Sequence, residues 1–114
     1  MSPITTHVLD TAKGQPAQGV PVTLAYRDSS GAFSQIGQGT TDVDGRLKTL
    51  IADAKTFKAG VYQITFDTAA YFAKTGTPGF FPLVSIVFEI KDVSQHHHVP
   101  LLLSPFGYST YRGS

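Results

Sequence analysis

Residues 95–114 read QHHHVPLLLSPFGYSTYRGS, and the fold turns on how this stretch is folded back. Ser104-Pro105-Phe106-Gly107 lies between two β-rich runs. Proline and glycine this close together mark a turn, so the stretch reads as two strands of a hairpin. Side chains alternate faces along a strand. One face of the first strand then carries His97, Val99, Leu101 and Leu103; the other carries His96, His98, Pro100 and Leu102. The first face is aliphatic and belongs in a core. The second presents imidazoles. On the return strand Ser109 and Tyr111 share a face, and simple register brings Tyr111 near His98. A chain ending on Tyr-Arg-Gly-Ser, with no polar tail, predicts a packed terminus.

Upstream of the hairpin, residues 83–90 form the most apolar strand. Residues 60–66 alternate Val61, Gln63 and Thr65 against Tyr62, Ile64 and Phe66. Between these two strands the period changes. Asp67 or Thr68 can cap a short helix over residues 69–73, with Gly76 as its stop. Nearer the N-terminus, residues 4–9 and 19–26 read as strands and residues 33–38 as a short, weak one. Residues 46–50 read as a strand leaving the Asp42-Val43-Asp44-Gly45 turn. Gly14, Pro16 and Gly19 mark a loop, and residues 53–59 fit no pattern. About seven or eight short strands separated by turns predict one all-β sandwich or barrel, a single domain over residues 1–114.

Composition removes whole classes of function. With 114 residues and 41% hydrophobic content the chain can build one core. A domain this small leaves much surface uncovered, so oligomerisation is an expected support. Nine Lys and Arg against eight Asp and Glu leave a net charge of +1. That balance gives no footprint for nucleic acid or an anionic membrane. Cysteine is absent, which excludes disulfides, thiolate nucleophiles and Cys-type zinc sites. No basic-then-apolar leader opens the sequence, and no apolar run approaches the roughly 18 residues of a membrane span. The final Arg-Gly-Ser is not a peroxisomal Ser-Lys-Leu address. The expectation is a soluble, cytoplasmic protein with no nucleic-acid or membrane partner.

With one Glu and no Cys, the catalytic vocabulary is His, Asp, Arg, Lys, Ser, Thr and Tyr. Three of four histidines are consecutive, His96-His97-His98. A solvated strand start is the plain reading of that run. His96 and His98 project to one side at a chelating spacing, but a metal needs a further ligand from elsewhere. Acid/base chemistry is the third reading, because imidazole titrates near neutral pH. Taken singly, His7 reads as an exposed strand residue, Arg46 as a turn-flanking charge, and Tyr111 as a packing residue. Ser104 belongs to turn chemistry. No nucleophile elbow, phosphate loop or zinc motif is present.

Two further stretches change the weighing. Ile4-Thr5-Thr6-His7-Val8-Leu9-Asp10 precedes Gly14, Pro16 and Ala17, and Thr41-Asp42-Val43-Asp44-Gly45-Arg46 lies inside the chain. With residues 96–114 they resemble the motifs of the 5-hydroxyisourate hydrolases, the transthyretin-related proteins, across essentially the whole chain. The resemblance implies an all-β, transthyretin-like (prealbumin) sandwich of two four-stranded sheets with one short helix. It implies a homotetramer, a dimer of dimers, with sites in the channel between dimers. It implies hydrolytic opening of 5-hydroxyisourate to 2-oxo-4-hydroxy-4-carboxy-5-ureidoimidazoline, between urate and allantoin, with no metal and no organic cofactor. By motif position, His7, Arg46 and His98 would be catalytic. His7, Arg46, Tyr111 and Ser114 would bind substrate. One departure stands out: the middle of the His-x-His motif is usually tyrosine, and here it is His97. Alternation points His97 away from His98, so it should alter packing and not the reaction. The alternative is a transthyretin-like carrier with no catalytic activity, disfavoured by so polar a set of lining residues.

Overall fold

The computed structural model describes residues 2–51 and 53–113. Its strands are β1 (Ile4–Asp10), β2 (Gln15–Pro16), β3 (Pro21–Arg27), β4 (Phe33–Thr40) and β5 (Arg46–Leu47). They continue with β6 (Gly60–Phe66), β7 (Val84–Ile90), β8 (His97–Ser104) and β9 (Gly107–Thr110). A helix, α1 (Thr68–Lys74), separates β6 from β7, and a single 3-10 turn covers Ala54–Thr56. One sheet runs β2-β1-β8-β9 and the other β4-β3-β6-β7. β5 joins the first sheet on β1. β2 pairs with Leu9 and Asp10, while β5 pairs with Thr6 and His7. These two short strands therefore lie end to end on one flank of β1, because β8 takes the other. Each sheet has four strand positions, as the resemblance implied.

The hairpin forms as its residues predict. Ser104 partners Gly107, Leu103 partners Tyr108, and Leu101 partners Thr110. Alternation sends Val99, Leu101 and Leu103 inward, where they meet Ile4 and Val8 of β1 and Leu24 and Ile64 of the other sheet. Burying one such side chain contributes about 1.5–3 kcal/mol. Two buried polar residues on β1 are fully used. The Thr6 hydroxyl donates to the Val99 carbonyl at 2.6 Å. The Asp10 carboxylate accepts from Tyr71 Oη at 2.7 Å and from the amides of Ala12 and Lys13 at 3.1 Å. That Tyr71 contact ties α1 to β1. Asp67 caps the helix, accepting from the Ala70 amide at 3.0 Å.

The local reading misses in three places, each where a partner strand decides. β4 runs eight residues, longer than the weak strand expected, because β3 gives it a full ladder. Its register shifts around Ile36, where Leu24 partners Gly37 and Ala25 partners Gln35. The expected strand over residues 46–50 stops at Leu47. Leu50 and Ile51 turn into the core instead, and Ser2 Oγ receives the Ile51 amide. Gln15 and Pro16, read as loop, pair briefly with β1. Among the described residues no helix is long and apolar enough to cross a membrane.

Candidate active site

Parallel pairing of β1 with β8 joins the two ends of the sequence. Thr5 partners His98, and His7 partners Pro100. On the other flank of β1, Arg46 partners His7. Beyond β8, the pairs Leu101–Thr110 and His98–Gly113 keep one register, which sets Tyr111 opposite Pro100. Opposed residues project to the same side of a sheet. Arg46, His7, Pro100 and Tyr111 thus form one row, and Thr5, His98 and Gly113 form the next. Both rows lie on the outer face, because Leu47, Thr6, Val8, Val99 and Leu101 fill the inner one. The first row spans three inter-strand gaps, roughly 14 Å at about 4.8 Å each.

Each side chain is held there by local chemistry. Gly45 adopts φ 75°, and a Cβ at this position would lie 2.4 Å from the Val8 carbonyl oxygen. Only glycine lets the turn come so near β1. The Val8 amide donates to the Gly45 carbonyl at 2.7 Å. Asp42 Oδ1 accepts from the amides of Arg46 at 3.0 Å and Asp44 at 2.9 Å. The Arg46 amide, above all, holds the Asp42 carboxyl below its ordinary value. The turn therefore delivers Arg46 to its place opposite His7.

His98 is half-buried, and its Nδ1 lies 2.8 Å from Thr5 Oγ1. The same oxygen lies 2.9 Å from His96 Nε2. Burial above all lowers the His98 pKa, the Arg46 charge and the neighbouring His7 and His96 act in the same direction, and a hydrogen bond with the Thr5 backbone pulls the other way. At neutral pH the imidazole is uncharged. The Gly113 amide donates to the His98 carbonyl at 2.8 Å. A Cβ on Gly113 would meet His98 Cδ2 at 2.7 Å, so glycine is what lets the chain end lie against the ring. His7 Nε2 is buried with no hydrogen-bond partner among the described residues. An unused buried nitrogen of this kind costs about 1–3 kcal/mol until something bonds to it.

His7, Arg46, His98 and Tyr111 thus share one face, and Tyr111 lies diagonal to His98. Ser114 lies outside the described residues. His97 points inward, away from His98, and packs near Phe57 with ring centres 6.4 Å apart. Burial, then the nearby Arg112 charge, lowers its pKa. Among the described residues no group of three or more His, Asp or Glu side chains is placed to hold a metal. His96 and His98 converge on Thr5 instead. A cavity of about 320 Å³ is lined by His98 and Tyr111 together with Ile86, Phe88 and His97. Neither His7 nor Arg46 lines it. Thr5 and Gly113 did not stand out in the sequence. Alternation set Thr5 beside His7, but its contact with His98 spans a separation of 93 residues.

The HIUase/Transthyretin family profile matches residues 4–113. A mouse (Mus musculus) relative named 5-hydroxyisourate hydrolase is 44% identical, over 99% of this chain and 96% of its own length. The structure of Klebsiella pneumoniae 5-hydroxyisourate hydrolase superposes with a TM-score of 0.84 at 37% identity, covering 97% of this chain and 98% of that one. Sea bream transthyretin in complex with thyroxine superposes with a TM-score of 0.92 at 36% identity, covering 97% and 94%. Backbone shape therefore does not separate a hydrolase from a hormone-binding protein. Profile and relatives alike span nearly the whole sequence, and the chain belongs to the HIUase/Transthyretin family.

Proposed function

We infer that this chain is a hydrolase that opens the ring of 5-hydroxyisourate, yielding 2-oxo-4-hydroxy-4-carboxy-5-ureidoimidazoline in the degradation of uric acid to allantoin. Relatives bearing the hydrolase name, matched over nearly their full length, support the activity. The observation that carries the site is the common outer face of His7, Arg46, His98 and Tyr111, drawn from three separate parts of the sequence.

Ring-amide hydrolysis needs a nucleophilic water and a place for charge on the carbonyl oxygen. The uncharged His98 imidazole takes the water's proton and returns it to the leaving nitrogen. His7, in the same row as Arg46, orients the water or the substrate. Arg46 offers planar, permanently charged donors to an oxygen-rich ring and to the developing oxyanion. Tyr111 and Ser114 fix the ring plane and close the pocket. No step calls on a metal or an organic cofactor.

The same reading makes the working unit a cytoplasmic homotetramer, a dimer of dimers of single-domain chains of residues 1–114. Two features support assembly. Arg46 and Tyr111 on the outer face are exposed in one chain, and a facing copy would cover them. Among the described residues β7 and β9 each end their sheet with an unpaired edge that another copy can extend.

The second reading is a carrier, favoured by the 0.92 superposition on a thyroxine-bound transthyretin. One measurement separates the two. 5-Hydroxyisourate is generated with urate oxidase, the protein is added, and ultraviolet absorbance is followed. Decay faster than the spontaneous rate supports the hydrolase; an unchanged decay leaves the carrier.

A further inference from the structure

We propose that Thr5 and His96 form a proton relay behind His98, with the Thr5 hydroxyl deciding which His98 nitrogen carries hydrogen. The proposal rests on the reading of His98 as the general base and names positioning residues for it.

The geometry is compact. Thr5 Oγ1 sits 2.8 Å from His98 Nδ1 and 2.9 Å from His96 Nε2. The two rings lie 6.4 Å apart, 23° from parallel. Thr5 is 4% exposed, whereas His96 is exposed to solvent. The arrangement follows from the β1–β8 register: Thr5 partners His98, and His96 is two residues back on the same side.

A hydroxyl has one hydrogen to donate. It can give that hydrogen to one imidazole only, so the other must donate its own N–H to the hydroxyl oxygen. Two arrangements of the neutral pair follow. In the first, His98 Nδ1–H donates to Thr5, Thr5 donates to His96, and His98 Nε2 is free to act as base. In the second, His96 donates to Thr5, Thr5 donates to His98 Nδ1, and the His98 proton sits on Nε2, ready to act as acid.

The reaction uses both in turn. Water gives a proton to His98 Nε2 as its oxygen bonds to the carbonyl carbon. His98 passes its Nδ1 proton to Thr5 as Thr5 passes its own to His96 Nε2, so the positive charge moves to His96. When the carbon–nitrogen bond breaks, its electron pair stays on nitrogen, which receives the His98 Nε2 proton. In the same step the relay runs back, His96 to Thr5 and Thr5 to His98 Nδ1, so His98 gains a proton at Nδ1 as it loses the one at Nε2 and stays neutral. Water's hydrogen ends on the leaving nitrogen, its hydroxyl on the carbonyl carbon, and the protein returns to its starting state. Charge is better held at His96 than at His98. Water hydrates the exposed ring. His98 is half-buried and feels Arg46 from β5, His7 from β1 and His96 from its own strand end.

The test uses the full-length protein with Thr5→Val, Thr5→Ser and His96→Asn. Valine keeps the branched shape without the hydroxyl; serine keeps the hydroxyl. Thr5→Val should lower kcat about tenfold to hundredfold, below the full worth of an acid/base group, with KM nearly unchanged. Thr5→Ser should retain most of the rate. His96→Asn should lower kcat and shift the acid limb of the pH profile. In ¹⁵N spectra of the unmodified protein, His96 Nε2 and His98 Nδ1 should titrate as a coupled pair, and in Thr5→Val independently. Equal losses in Thr5→Val and Thr5→Ser overturn the relay, because shape alone would explain them. So does an unchanged kcat in Thr5→Val, or ¹⁵N titrations that ignore the hydroxyl. If Thr5→Val does not fold, the His96→Asn spectrum decides: an unaltered His98 titration overturns the proposal. If the unmodified protein does not hydrolyse 5-hydroxyisourate, the functional reading falls, while the spectra still decide the relay.

Discussion

The two faces of the β5-β1-β8 strands make opposite use of the same backbone. Thr6, Val8, Val99 and Leu101 point inward and are buried. Their neighbours one residue along, Thr5, His7 and His98, point outward and meet Arg46 and the chain end. Strand alternation lets stability and chemistry occupy adjacent residues without sharing surroundings. Changes on one face should therefore spare the property carried by the other.

The largest expected effect is on the outer face. His98→Ala should lower turnover by about 10² to 10⁴ while the melting temperature and assembly stay near their original values. An unchanged rate would remove His98 from the mechanism. On the inner face, Leu101→Ala should destabilise by about 2–5 kcal/mol, read from the denaturant midpoint. The surviving folded fraction should keep its kcat; a parallel collapse of kcat would mean the faces are not independent.

Gly113→Ala sits at the boundary. Its new methyl would press on His98 Cδ2, so the ring must shift. A displacement of about 1 Å can cost up to about 10²-fold in rate, and kcat should fall with little change in unfolding. A purely structural loss would show as a lower midpoint at constant kcat.

The smallest effect is on pH. Burial, above other causes, lowers the pKa of His97 and His98 below 6.5. The unfolded chain then binds protons more readily than the folded one, so acid favours unfolding. The penalty is absent above pH 6.5, and stability should decline as pH falls below it. Activity should fall in the same direction as His98 becomes charged. A rate that stays flat from pH 5 to 8 would argue against a histidine base. The stability slope belongs partly to the inner face, so His97→Leu should reduce it without moving the activity profile.

Much of this division could be read from local pattern. The hairpin, the Asp67-capped helix, and the opposite pointing of His97 and His98 follow from turn residues and a period of two. The family motifs added the membership of His7, Arg46, His98 and Tyr111 in one set. What local pattern lacks is pairing between distant strands. No rule of periodicity sets β1 parallel to β8, or assigns Thr5 to His98 and Arg46 to His7. The same gap hid the length of β4 and the early end of β5, both governed by neighbouring strands.

The amino-acid order alone determined which side chains face together along each strand, where the chain turns, and which chemistries are excluded by the lack of cysteine. Tertiary structure alone decided which strands lie side by side, and so that one threonine hydroxyl meets two imidazoles while a glycine rests on one of them. Alternation is a property of a single strand's backbone, whereas register is selected by all the contacts of the packed sheets at once.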